Sequence, residues 1–193
     1  ETGWAKLYNP DFSPKFNESL LDAPRHKKPS TFLVGFTGDL FGPGVEKWWQ
    51  ATIISYVRMC RQHRFLFLTK SPENLEQFNP WPDNAWVGAS ATDLESASKA
   101  LAVLRHVEAK VKYFSIEPLL GRTHLSTKAP LLNAGVSWVI IGAQKGPRAM
   151  KPELSWVQEI IETVDRTDIK LWIKNNLLRL YPSLPKRQEL PNV

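Results

Sequence analysis

Apolar residues in this chain gather into short runs, and between the runs the pattern changes to helical spacing. Phe32-Leu33-Val34-Gly35-Phe36 is the first run. Apolar at nearly every position, it predicts a strand buried on both faces rather than one with a wet side. Gly42-Pro43-Gly44 breaks the chain, and Val45, Trp48, Trp49, Thr52, Ile53, Tyr56, Met59 and Cys60 then predict one apolar helix face ending near His63. The unit repeats. Residues 64–69 predict a second strand, and Ser71-Pro72-Glu73 offers a helix an N-cap serine with proline in its first turn. Ala85-Trp86-Val87-Gly88-Ala89 predicts a third strand. Thr92-Asp93-Leu94-Glu95 then fits a capping box for a helix carrying Leu94, Ala97, Leu101 and Leu104. Residues 111–116 and 137–142 predict strands four and five, and residues 170–173 a sixth. The last helix starts at Pro152 or Ser155 and faces Val157, Ile160, Ile161 and Val164 inward.

This alternation predicts an α/β fold of parallel strands with right-handed crossovers. Six strands suit either a doubly wound sheet or an incomplete or open TIM-type barrel. No glycine-rich phosphate fingerprint follows the first strand, which favours the (β/α) barrel. Residues 1–30 contain Asn9-Pro10, Ser13-Pro14 and Ala23-Pro24 and predict an irregular arm lying over the domain. Residues 31–180 form the barrel-type domain, and 181–193 a C-terminal tail.

Composition narrows the picture. Hydrophobic residues make up 42% and aromatic ones 11%, which excludes a disordered chain. No apolar run approaches the roughly 20 residues that span a bilayer, and no signal peptide is evident, so no membrane partner is expected. The single cysteine, Cys60, excludes an internal disulfide or a cysteine-built metal site within this chain, and its place on an apolar helix face predicts a buried structural thiol. A cytoplasmic protein is the expectation. The net charge of +6 favours an anionic partner such as nucleic acid, a nucleotide or a phosphorylated metabolite. The charge is spread out, however, and the one dense run, Arg25-His26-Lys27-Lys28, reads first as a solvated loop. His26, His63, His106 and His124 have no ligand spacing and are expected at the surface or at helix ends. Trp48, Trp49 and Trp81 are expected in packing rather than in base stacking.

In parallel folds the residues just past each strand form the site. Those positions are Thr37-Gly38-Asp39, Lys70 after Thr69, Ser90, Ser115 with Glu117, Gln144-Lys145 and Lys174-Asn175. Two acids, three lysines and several hydroxyl or amide groups at one mouth suit a small molecule or phosphate. Each also has a structural reading: Asp39 as a helix cap, Lys70 as a solvated side chain, Glu117 as a loop tie.

Thr37-Gly38-Asp39-Leu40-Phe41, Leu68-Thr69-Lys70-Ser71-Pro72-Glu73, Trp86-Val87-Gly88-Ala89-Ser90, Ser115-Ile116-Glu117-Pro118-Leu119-Leu120-Gly121 and Trp138-Val139-Ile140-Ile141-Gly142 follow one another in this order. The series resembles a phage and bacterial family of radical-SAM-like proteins of unassigned function, distantly related to the spore photoproduct lyase branch. The resemblance runs from about residue 8 to 175. It implies S-adenosylmethionine and a 4Fe-4S cluster as cofactors, the cluster held by a cysteine triplet just upstream of the segment matching Tyr8-Asn9-Pro10. That triplet is absent here. Loss of an upstream segment is the preferred account, and a cluster-less protein the other. By resemblance the Thr37-Gly38-Asp39 turn helps hold the methionine amino group, and Lys70 pairs with its carboxylate or with a substrate phosphate. Ser90 joins that cofactor-binding set, Ser115 and Glu117 meet the ribose or substrate, and Gln144, Lys145, Lys174 and Asn175 face an anionic substrate, a nucleotide or nucleic-acid base. Gly142-Ala143-Gln144-Lys145-Gly146 and Ile173-Lys174-Asn175-Asn176-Leu177 depart from the family's Gly-Gly-Glu-Ser-Gly and Phe-Lys-Gln-Trp-Gly. Two rivals stand beside the radical enzyme: a cluster-less basic module that binds nucleic acid or a phosphorylated ligand, and a phosphometabolite enzyme using Glu117 and Lys70 as acid and base.

Overall fold

A computed structural model describes residues 13–192. The segment containing Tyr8-Asn9-Pro10 lies outside the described residues. Six strands, β1 (Thr31–Val34), β2 (Arg64–Thr69), β3 (Ala85–Ala91), β4 (Val111–Ile116), β5 (Val136–Ile141) and β6 (Lys170–Ile173), form one sheet. All five pairings are parallel, and the strands lie in chain order from β1 to β6. A doubly wound sheet reverses its strand order at a switch point, and this sheet does not. The fold is an open (β/α) sheet wound in the barrel sense.

The two faces of the sheet explain its sequence. One is covered by α1 (Lys47–Met59), α2 (Leu94–Leu104), the short α3 (Ala129–Asn133), α4 (Leu154–Asp165) and α5 (Asn175–Leu180). Phe65, Phe67, Val87, Ala89, Phe114, Ile116, Val139, Ile141, Leu171 and Ile173 point into that layer and form the main core with it. The opposite face carries Leu66, Trp86, Val111, Tyr113 and Trp138, a second cluster with no helix against it among the described residues. Trp86 and Tyr113 are nevertheless 1% exposed, so the sheet curls around its own side chains as barrel strands do. The Arg64 guanidinium lies 4.1 Å from the centre of the Trp86 ring and helps close this face.

Several local expectations are corrected. β1 is not buried on both faces: Leu33 is 58% exposed, because β1 is an edge strand of the sheet. α1 ends at Met59 and turns Gln50, Ile54 and Val57 to the core, leaving Trp48 and Met59 exposed. Its expected face is a second stripe, in which Trp49, Ile53 and Tyr56 meet residues 13–24, and Phe16 stacks on Trp49. Cys60 is buried just beyond the helix, as expected. Ser71-Pro72 opens two 3-10 turns, Pro72–Asn74 and Glu76–Phe78, rather than an α-helix. The capping box of α2 uses Asp93 and Ser96, one residue later than expected. His63 is buried, not superficial: its Nδ1 accepts from the Ser30 N–H at 3.1 Å and its Nε2 lies 2.7 Å from the Pro24 carbonyl. The imidazole thus ties the N-terminal segment to the start of β1. The tail is also less detached than its composition suggests. Arg187 and Glu189 exchange backbone hydrogen bonds with β6, around an antiparallel bridge from Trp172 to Gln188.

Candidate ligand site at the strand ends

Strand register decides which side chains meet at the mouth. Ser90 pairs with Ser115, Ser115 with Ile140, and Ile140 with Trp172. Lys70 follows the Thr69–Ala89 pair and falls level with Ser90. All of these share the side of the sheet away from the helices, since side chains alternate along a strand. Glu117, Gly142 and Lys174 form the next row, directly after the aligned Ile116, Ile141 and Ile173.

In that row Glu117 and Lys174 form an ion pair across β5, with side chains 22% and 39% exposed. Gly142 lies between them, and a β-carbon there would sit 2.9 Å from Glu117 Oε1. The glycine therefore leaves the space through which the pair spans a strand. The Glu117–Pro118 peptide is cis, and the Glu117 carbonyl accepts from Ser90 Oγ at 3.5 Å. Ser115 is buried beneath this row at 2% exposure. Burial pushes the Tyr113 phenol, two residues earlier on β4, far above its usual range.

The β1 end is organised differently. Asp39 Oδ1 accepts from Thr69 Oγ1 at 2.7 Å and from the Phe41 N–H at 3.0 Å, and Oδ2 from the Lys70 N–H at 2.8 Å. The carboxylate latches the loop after β1 onto the end of β2. Thr37 and Gly38 stand exposed on that loop, and the Lys70 side chain projects outward from the same corner.

The remaining expected residues are engaged elsewhere. Gln144 Oε1 accepts from the Met150 N–H at 2.8 Å, closing a loop beyond β5, and Lys145 is exposed on that loop. Asn175 Oδ1 accepts from Gln188 Nε2 at 2.9 Å and faces the tail. Asn176 was missed. Its amide holds both backbone groups of Ala143, donating to the carbonyl at 2.5 Å and accepting from the N–H at 3.4 Å, and so aligns the ends of β5 and β6. A polar residue three positions past a strand is the only sequence signal it offered.

Among the described residues no group of three His, Cys, Asp or Glu side chains could hold a metal ion. The one cysteine, Cys60, is buried. A cluster ligated by three thiolates therefore does not fit the residues of this chain. Among the described residues no helix is long and apolar enough to cross a membrane.

Taken together, the chain is an open parallel (β/α) protein with a polar row at the C-terminal ends of its strands, the place where such folds bind ligands. A family model described as "protein of unknown function (DUF5131)" matches residues 6–176, and the chain belongs to that family. No curated protein and no solved structure matches it.

Proposed function

We propose that this chain is a radical-SAM-type enzyme, or the barrel portion of one, and that its strand-end row binds S-adenosylmethionine beside an anionic substrate. The Glu117–Lys174 pair across Gly142 carries the reading. The methionine end of that cofactor presents an ammonium and a carboxylate together, and the pair offers both complementary charges in one place. Ser90 and Ser115 stand one row below, where hydroxyls can meet the ribose. The Asp39 carboxylate already accepts three hydrogen bonds, so the ammonium-holding role passes to Glu117, and Asp39 keeps the loop in position. Lys70 and Lys145, both exposed, favour an anionic substrate, a nucleotide or nucleic-acid base being the class that suits a net charge of +6. A cytoplasmic setting is supported by the single buried cysteine.

Calorimetric titration of S-adenosylmethionine into the protein tests this. Wild type is expected to bind it more tightly than 5′-methylthioadenosine, which lacks the amino-acid end. Glu117→Gln, Lys174→Met and Gly142→Ala are each expected to weaken binding at least tenfold, about 1.4 kcal/mol. Unchanged affinity in all three folded variants rejects the site. If wild type binds a single-stranded oligonucleotide with steep salt dependence and no S-adenosylmethionine, the chain is instead a cluster-less basic binding module.

A further inference from the structure

On the helical side of the sheet, away from the strand-end row, a groove of about 400 Å³ opens between α2, the segment 123–125 and α3. That volume lies in the range of small-molecule sites. The way the β4–β5 connection is anchored accounts for the groove. Arg122 Nε donates to Glu159 at 2.8 Å, Thr163 donates to the Leu125 carbonyl, and Arg166 donates to the Ser126 carbonyl at 3.1 Å. Glu159 and Thr163 lie on α4 and Arg166 just past its end, so the connection is held on that side and stands off α2 on the other. Where α2 faces it, the helix carries Ala97, Ser98 and Ala102, too small to fill the gap.

The floor is apolar, with Ala97, Leu101, Leu125 and Ala134 all buried. One polar atom interrupts it. Thr123 is 3% exposed, borders the groove, and its hydroxyl has no hydrogen-bond partner among the described residues. Arg105 and His124 line the groove, no Asp or Glu does, and Arg105 makes no ion pair among the described residues. His124 is held at φ 51°, a left-handed conformation uncommon for a residue other than glycine.

The geometry points to a binding site for a small amphipathic carboxylate. Its hydrocarbon body lies on Leu101 and Leu125, and its head group meets Arg105 and His124. The site is independent of the strand-end row and does not rest on the function proposed for it.

The test is a titration of octanoate into the uniformly ¹⁵N-labelled full chain, followed by amide chemical shifts. Saturable shifts centred on residues 94–105 and 123–134 are expected, with octylamine producing none there. Arg105→Gln is expected to raise the dissociation constant at least tenfold. Ala102→Trp, at an exposed position of α2, is expected to fill the groove and abolish the shifts while the remaining spectrum stays native. Shifts that are non-saturable or lie elsewhere, equal binding of octylamine, or full binding to Ala102→Trp overturns the proposal. S-adenosylmethionine affinity, measured on the same variants, is expected to be unchanged, which keeps failure here distinct from failure at the strand ends.

Discussion

Tyr113 shows how closely the helix-free face is packed. Its ring lies flat over Gly88 on the neighbouring strand, so that a β-carbon at residue 88 would come within 2.4 Å of Tyr113 Cζ. Gly88→Ala is therefore expected to cost about 1–3 kcal/mol, as overpacked core sites do, and a thermal melt reads it directly. The hydroxyl of the same tyrosine is buried without a partner among the described residues. Tyr113→Phe should be neutral or raise the melting temperature; a loss above 1 kcal/mol would mean the hydroxyl is in fact satisfied. At this scale the sequence was legible where a single rule applied. Glu117 and Lys174 were found because strand ends line the mouth. The latch made by Asp39 was not, because its partners Thr69 and Lys70 lie about thirty residues away and only the β1–β2 pairing brings them near. The space above Gly142 was hidden for the same reason.

Helices were legible in proportion to how simply they pack. The apolar face of α4 has one neighbour, the sheet, and the four residues expected on that face are all buried. α1 has two, the sheet and the segment 13–24, and so carries two apolar stripes that period counting merges into one. Between β2 and β3 the signals for a helix start are genuine. The turn through Asn79-Pro80 and Trp81-Pro82 follows within a few residues, however, and Leu75 is already fully buried, which leaves room only for 3-10 turns. The cap of α2 makes a pH prediction. Hydrogen bonds from the Ser96 side chain and backbone hold the Asp93 carboxyl below its ordinary value of 3.8. A depressed acid contributes stability that is complete above its unfolded value and disappears as pH falls through the folded one. Asp93→Asn keeps a capping side chain but loses this titration. Its deficit against wild type is expected to be full near pH 6 and to shrink once the pH falls below 3.8 toward the lowered folded value, measured by urea denaturation across that range.

The two edges of the sheet are treated unequally. Residues 187–189 lie along β6, where Arg187 pairs with both Asp165 and Glu189, and the Leu171 N–H donates to Glu189 Oε2 at 3.1 Å. Arg187 is the hub of this arrangement, and Arg187→Ala is expected to cost about 1 kcal/mol. Amide exchange should speed up first at Leu171 and Ile173, whose N–H groups the tail's Glu189 side chain and Arg187 carbonyl accept; unchanged protection there would show that the tail is passive. None of this was visible in a tail rich in proline and charge, because its partner is an edge that exists only once the sheet has formed. The order of that sheet has one more consequence. Among the described residues each strand pairs only with strands adjacent to it in the chain order. During synthesis each strand from β2 to β6 leaves the ribosome with a neighbour already waiting, and none of these pairings must stay open for a distant late segment. Such a chain can be assembled in the direction it is translated, one strand and helix at a time, with little apolar surface waiting uncovered.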